Sequence, residues 1–273
     1  MIIVVAGATG TVGRHVVNQL VAKEVNVRAL SRNPEKANLP ESVKLVKGDL
    51  NKPETLAGLL DHADGLFLLS SSDEQNADLN TDPEVIKLAE EAGVKHVAVL
   101  VGYEEGAVEQ KLKTSKMQWT LLKPGEFMAN ALLDWQDSIR NDGIVREPFG
   151  DARSSRIHEG DIAAVAVAAL MEDGHHERSY LLTGKEALSR REAVQTISEV
   201  LGKPIAFKEM TEQEARLNWE AQGYGHEDIE FFVLMGKNPP KEGSMILPTV
   251  EQVIGRPARS FSDWVVEHKT AFQ

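Results

Sequence analysis

The 273-residue chain contains no cysteine. Disulfides, thiolate metal sites and a cysteine nucleophile are excluded together. Tyrosine is scarce: there are only Tyr103, Tyr180 and Tyr224, and the residues four places further on are Ala107, Gly184 and Asp228. No tyrosine therefore has a lysine at the spacing that would lower its pKa for protonating an alkoxide. Basic runs are missing as well. The formal net charge is −12, whereas a nucleic-acid partner requires clustered Lys and Arg. No apolar run approaches the length of a membrane span, and the first residues carry no leader pattern. A cytoplasmic protein with neither membrane nor nucleic-acid partner is expected. The adjacent pair His175 and His176 has the wrong spacing for a helical metal site, so no metal is expected.

What is present begins at once. "IIVV" (2–5) reads as a buried parallel strand. It runs into "AGATGTVG" (6–13), which places glycines at 7, 10 and 13. Val12, Val16, Leu20 and Val21 then recur at helical spacing. A glycine-rich turn between strand and helix offers unpaired N–H groups and a positive helix end to a pyrophosphate. The spacing is G-x-x-G-x-x-G rather than the commoner G-x-G-x-x-G.

Further apolar runs at 25–31, 43–48, 64–70, 96–101 and 119–124 alternate with amphipathic stretches such as "PETLAGLLDHA" and "PEVIKLAEEAG". Pro53 and Pro83 open these two helices, Asp82 is placed to cap the second, and Gly93 ends it. This alternation predicts an α/β chain with a Rossmann-like, doubly wound parallel sheet. The expected NAD(P)-binding lobe covers 1–125, with part of 150–185 returning to it. A smaller C-terminal α/β lobe at 126–273 forms the substrate side. There, "EFMANALLDWQDSIRNDG" reads as helical, and "DIAAVAVAALMED" (161–173) as a buried helix with Asp161 as N-cap. "SYLLTG" reads as a further strand and "SRREAVQTISEVLGK" as a further helix.

The end of the second strand selects the cofactor. An acidic residue there suits the ribose hydroxyls of NAD, an arginine the extra phosphate of NADP. "ALSRNPEK" puts Arg32 at that point, with Ser31 and Lys36 to assist, and NADP(H) is favoured over NAD(H). Asp49 ends the third strand where adenine would lie, or simply holds the turn. The polar segment 70–82 is expected to border the cofactor.

Together "GATGTVGRHVVNQL", "VRALSRNPEK", "VKGDLNKPETLAGLL", "WTLLKPGEFMAN", "IHEGDIAAVA" and "IGRPARSFSDWVVEH" resemble the NmrA-like group of atypical short-chain dehydrogenase/reductases over most of the chain. The resemblance implies a pyrophosphate loop made of Gly7, Thr9, Gly10, Thr11, Val12 and Gly13. It puts Arg32 at the adenosine phosphate, Asp49 and Leu50 at adenine, and Leu69 and Ser70 at the nicotinamide ribose. It further implies an NADPH-dependent oxidoreductase that passes hydride to a quinone-like or other conjugated small molecule. The alternative is a regulator that senses NADP(H) and binds a protein partner without turnover. A homodimer stays open as the assembly.

The candidates for chemistry are few. Tyr103, close behind the fifth strand, and Lys123, at the end of the sixth, are the catalytic candidates, each with a structural role as the alternative. Glu109 and Lys113 read as a solvated i,i+4 pair, and His158 as a structural hydrogen-bonding residue. Phe127, Met128, Asn130 and Trp135 are expected on the helix after the sixth strand, with Phe127 and Asn130 as the substrate-pocket residues.

Overall fold

A computed structural model describes residues 1–70 and 79–273. The expected cofactor-bordering segment therefore lies outside the described residues over 71–78. The first half runs β1 (Ile2–Val5), α1 (Gly13–Ala22), β2 (Asn26–Ser31), β3 (Lys44–Lys47), β4 (Gly65–Leu69), α2 (Glu84–Glu91), β5 (His96–Leu100), α3 (Ala107–Lys113) and β6 (Gln118–Pro124). It continues through α4 (Asn130–Asn141), β7 (Ile144–Glu147), β8 (Arg153–Ser154), α5 (Glu159–Met171), β9 (Arg178–Leu182) and β10 (Leu188–Ser189). The rest is α6 (Arg190–Leu201), β11 (Ala206–Glu209), α7 (Glu212–Ala221), α8 (His226–Lys237), α9 (Thr249–Ile254) and α10 (Phe261–Glu267).

Two units divide these elements. The first comprises Met1–Pro124, Glu159–Leu182 and Thr249–Arg256. Its seven strands pair in the order β3-β2-β1-β4-β5-β6-β9, and every pairing is parallel. That order is the doubly wound Rossmann arrangement extended by one strand. Alternate residues of each central strand face opposite layers, and both layers are buried. Val4, Leu66, Leu68, Val97, Val99 and Leu121 pack with Val85, Ile86 and Ala89 of α2 and Val108 and Leu112 of α3. Burial on both faces explains why the strands read as unbroken apolar runs.

α5 contacts α1, β4, β5, β6 and α9. It is apolar on all sides, as expected of a helix enclosed by protein. It also begins earlier than its sequence indicates. The helix starts at Glu159, so Asp161 is not the N-cap but lies within the first turn. Its buried carboxylate pairs with Arg256 at 2.6 Å. "PETLAGLLDHA" gives one 3-10 turn, Pro53–Leu56, rather than an α-helix, because the chain becomes extended at Ala57. Asp82 does act at the start of α2, its Oδ1 accepting the Glu84 N–H at 2.8 Å.

The second unit comprises Gly125–His158, Thr183–Pro248 and Pro257–Gln273. It holds two small sheets, β7 parallel to β11 and β8 antiparallel to β10. Its core gathers Met128, Trp135 and Ile139 with Val194, Ile197, Phe261, Trp264 and Phe272. Three helix starts are fixed by reciprocal side-chain and backbone bonds: Ser189 with Glu192, Thr211 with Glu214, and Ser260 with Asp263.

Candidate cofactor and active site

The loop after β1 is shaped by its outer glycines. Gly7 has φ +58°, a left-handed conformation that glycine adopts without strain, and a Cβ there would lie 2.6 Å from Leu69 Cδ1. At Gly13 a Cβ would lie 2.0 Å from the Gly7 carbonyl oxygen and 3.1 Å from Ala8 Cα. The first turn of α1 therefore rests directly on the loop backbone. Gly10 is less constrained, its Cβ meeting only the Gly7 oxygen at 3.2 Å, while its N–H donates to that same oxygen at 2.9 Å.

α1 has no side-chain cap and no acidic residue in its first turn. The N–H groups of Thr11 and Val12 find no acceptor among the described residues. Gly7 and Thr9 are exposed and Gly10 and Thr11 half-buried, whereas Ala8, Val12 and Gly13 are buried anchors. Free N–H groups at an uncapped helix start attract an anion, and the described residues supply none. Arg14, absent from the expected set, folds back over the loop. Its Nε donates to the Gly10 carbonyl at 3.1 Å and an Nη to the Thr9 carbonyl at 3.0 Å.

The other expected cofactor residues follow the carboxyl ends of neighbouring parallel strands. Arg32, directly after β2, and Lys36, in the 3-10 turn Pro34–Lys36, are both exposed. Ser31 Oγ accepts the Asn33 N–H at 3.1 Å. Asp49 Oδ1 accepts the Asn51 N–H at 3.1 Å, so its side chain does hold the turn after β3. Leu50 is buried in the core. Leu69 closes β4 beside Gly7. Ser70 is buried, its Oγ accepting the Gly102 N–H at 3.3 Å and so joining the ends of β4 and β5. Residues spread over 64 positions thus gather along one end of the sheet, where open α/β folds take ligands.

Beyond β5 and β6 the ion pairs differ from expectation. Glu109 is fully buried and does not pair with Lys113. Its Oε2 accepts the Gly106 N–H at 2.7 Å, closing the first turn of α3. Lys113 instead bonds Glu105, which also takes Lys123 Nζ at 2.5 Å. Hydrogen bonds from the two ammonium groups hold the Glu105 carboxyl below the usual range. Lys123 is thus tied to a carboxylate, while Tyr103 stands 61% exposed.

In the second unit, Phe127 and Met128 precede α4 rather than lie on it. Phe127 forms an isolated parallel bridge with Ile157, and Asn130 is the first helical residue. Met128 and Trp135 are core residues. His158 is buried, its Nε2 lying 3.1 Å from Glu267 Oε2. In the first unit, His175 Nδ1 is 2.8 Å from the Tyr180 hydroxyl. Among the described residues no cluster of His, Asp and Glu could hold a metal.

Sequence reasoning missed Asp134. It lies one turn beyond Asn130 on α4 and is open to solvent. Protein packed near its carboxyl disfavours the charged form, and the carboxylates of Glu147 and Glu126 repel its charge. Its pKa is pushed up to about 7, against the opposing pull of Arg190 and Arg156.

The geometry of the first unit is that of a dinucleotide site, and comparison with known proteins agrees. Residues 7–106 match a family model described as NAD(P)H-binding. The chain is 37% identical to a (4-alkanoyl-5-oxo-2,5-dihydrofuran-3-yl)methyl phosphate reductase of Streptomyces griseus, over 99% of each protein. It is 33% identical to an NAD(P)H azoreductase of Xenophilus azovorans, again over 99% of each. Among solved structures, an Escherichia coli NADPH-dependent quinone oxidoreductase with NADPH aligns at TM-score 0.80 and 24% identity, over 99% of this chain and 100% of that one. The chain belongs to the NAD(P)H-binding, NmrA-like group of atypical short-chain dehydrogenase/reductases.

Proposed function

We propose that this protein is an NADPH-dependent reductase that delivers hydride to a conjugated small-molecule acceptor, an unsaturated carbonyl compound, a quinone or an azo dye. The observation that carries the reading is the cradle after β1, where the Thr11 and Val12 N–H groups, without an acceptor among the described residues, sit on a loop stripped of side chains at 7, 10 and 13. A pyrophosphate fits that donor set, and the Arg32 guanidinium suits a phosphate monoester. Asp49 and Leu50 are assigned to adenine, and Leu69 and Ser70 to the nicotinamide ribose. Phe127 and Asn130 are assigned to the acceptor. Bound NADPH supplies the hydride.

Conjugated acceptors suit a chain without a tyrosine–lysine pair. Their electron-poor π systems accept hydride with little acid assistance, so orientation supplies most of the rate. Two relatives more than 30% identical to this chain are named for reductions of that kind. Steady-state oxidation of NADPH against a panel of quinones, azo dyes and unsaturated lactones tests the reading. Turnover with at least one is expected. Tight NADPH binding with no turnover on any of them would replace the enzyme with the cofactor-sensing regulator.

A further inference from the structure

Arg14 stands where simple electrostatics disfavours it. It is the second residue of α1, and a cation in the first turn opposes the helix dipole. No carboxylate offsets this. The first 23 residues contain neither Asp nor Glu, although the chain carries a formal net charge of −12. Among the described residues Arg14 forms no ion pair, and its side-chain partners are two backbone carbonyls of the glycine loop. The side chain is exposed, so burial does not hold it there either. The loop does.

The two carbonyls are successive, and both of their peptide units include Gly10. Nη2 reaches the Thr9 carbonyl at 3.0 Å and Nε the Gly10 carbonyl at 3.1 Å, a match to the fork of a planar guanidinium. Among the described residues the Thr9 carbonyl has no other donor. In a planar trans peptide the C=O of one residue and the N–H of the next point in opposite directions. The unit joining Thr9 to Gly10 is therefore held at both ends, its oxygen by Arg14 and its N–H by the Gly7 carbonyl at 2.9 Å. The unit joining Gly10 to Thr11 is held at its oxygen alone, by the Arg14 side chain and by the Arg14 N–H at 3.2 Å. Its own N–H, on Thr11, points the other way and meets no acceptor among the described residues. Glycine at position 10 leaves this unit free to rotate. Half a rotation would put a carbonyl oxygen where the donor stood, and a phosphate would meet repulsion.

We propose that Arg14 is a positioning residue for the pyrophosphate of the cofactor. By gripping the Thr9 and Gly10 carbonyls it fixes both peptide units at Gly10 and keeps the Thr11 N–H available to the phosphate. The pyrophosphate is common to NADPH and NADH, so Arg14 supports both, whereas Arg32 is assigned to the phosphate of NADPH alone. The assignment rests on the cradle reading of the loop and does not require turnover.

The test is isothermal titration of the full chain with NADPH and with NADH, alongside thermal melts without cofactor. Arg14→Ala should weaken both cofactors by the same factor, about three- to tenfold, the worth of one hydrogen bond. Its unliganded melting temperature should match the parent's, a result that a general structural role would not give. Arg14→Lys keeps the charge but not the fork, and should bind as weakly as Arg14→Ala. In the double variant with Arg32→Ala, the two losses of NADPH affinity should add. The proposal is overturned if Arg14→Ala binds both cofactors like the parent, or loses NADPH alone. It is also overturned if Arg14→Lys restores full affinity, if the melting temperature falls with the affinity, or if the double variant is not additive. A parent that binds neither cofactor would remove the cradle and Arg14 together. Tight binding without turnover on any acceptor would remove only the reductase and leave Arg14 in place.

Discussion

Substituting alanine separately at Gly10 and Gly13 distinguishes the two tasks of the loop. At position 13 the new methyl would sit 2.0 Å from a backbone oxygen and 2.7 Å from a backbone carbon, where ordinary contact begins at 3.4 Å. No side chain can turn aside, so loop or helix must yield by roughly 1.4 Å. Overpacking of this kind costs about 1–3 kcal/mol, offset by the roughly 0.5–1 kcal/mol that alanine gains over glycine within a helix. A melting temperature lowered by several degrees is expected, at about 2–4 °C per kcal/mol for a chain of this size. At position 10 the methyl meets a single atom at 3.2 Å, so the fold should keep its melting temperature.

Cofactor binding should behave differently. On the cradle reading, the Gly10→Ala methyl would occupy space that a pyrophosphate needs to reach the Thr11 and Val12 N–H groups. Losing one hydrogen bond to a charged group costs roughly 1.5–3 kcal/mol, so NADPH affinity should fall about ten- to a hundredfold. Thermal melts and isothermal titration on both variants provide the readouts. A Gly13→Ala protein as stable as the parent would refute the packing argument. A Gly10→Ala protein with undiminished NADPH affinity would refute the cradle.

Three further predictions concern single side chains. Arg32→Ala should weaken NADPH about ten- to a hundredfold and NADH little; equal losses for both, or a parent that already prefers NADH, would remove the phosphate assignment. Tyr103→Phe should leave quinone turnover within a few-fold of the parent, whereas a drop of about 10²–10⁴-fold with intact cofactor binding would make it the general acid. Asp134 binds its proton more tightly folded than unfolded, so stability is lost as pH rises from the unfolded value near 4 through about 7. Asp134→Asn should therefore melt above the parent at pH 8 and alongside it at pH 4, and a difference that did not change with pH would contradict the raised pKa.

The sheet was legible because burial on both faces leaves each central strand as an apolar run, and the helices between them carry their own punctuation. The loop was legible for a related reason, since Gly7 and Gly13 answer to contacts only a few residues away. Contacts across longer separations left weaker traces. Glu109 and Lys113 have the spacing of a surface pair, but with glycine at the N-cap the familiar Ser/Thr-x-x-Glu signature was missing and Glu109 passed for solvated. The Asp161–Arg256 pair spans 95 positions. Nothing near Asp161 in the sequence indicated that a distant, partly exposed arginine, rather than a helix end, would claim its buried carboxylate. Asp134 was invisible for the same reason: surrounding protein and the charges of Glu147 and Glu126, which come from other elements, raise its pKa.

These charge arrangements bear on how a reductase without a tyrosine–lysine pair would manage protons. In the first unit, Lys123 lies near the end of β6, yet Glu105 holds its ammonium and is itself shared with Lys113. A lysine so neutralised does little to stabilise a tyrosinate, and Tyr103 stands mostly in water. Such an edge suits acceptors whose conjugation disperses the incoming charge until solvent delivers a proton. The second unit instead holds Asp134, whose pKa is pushed up to about 7 and which makes no hydrogen bond or ion pair among the described residues.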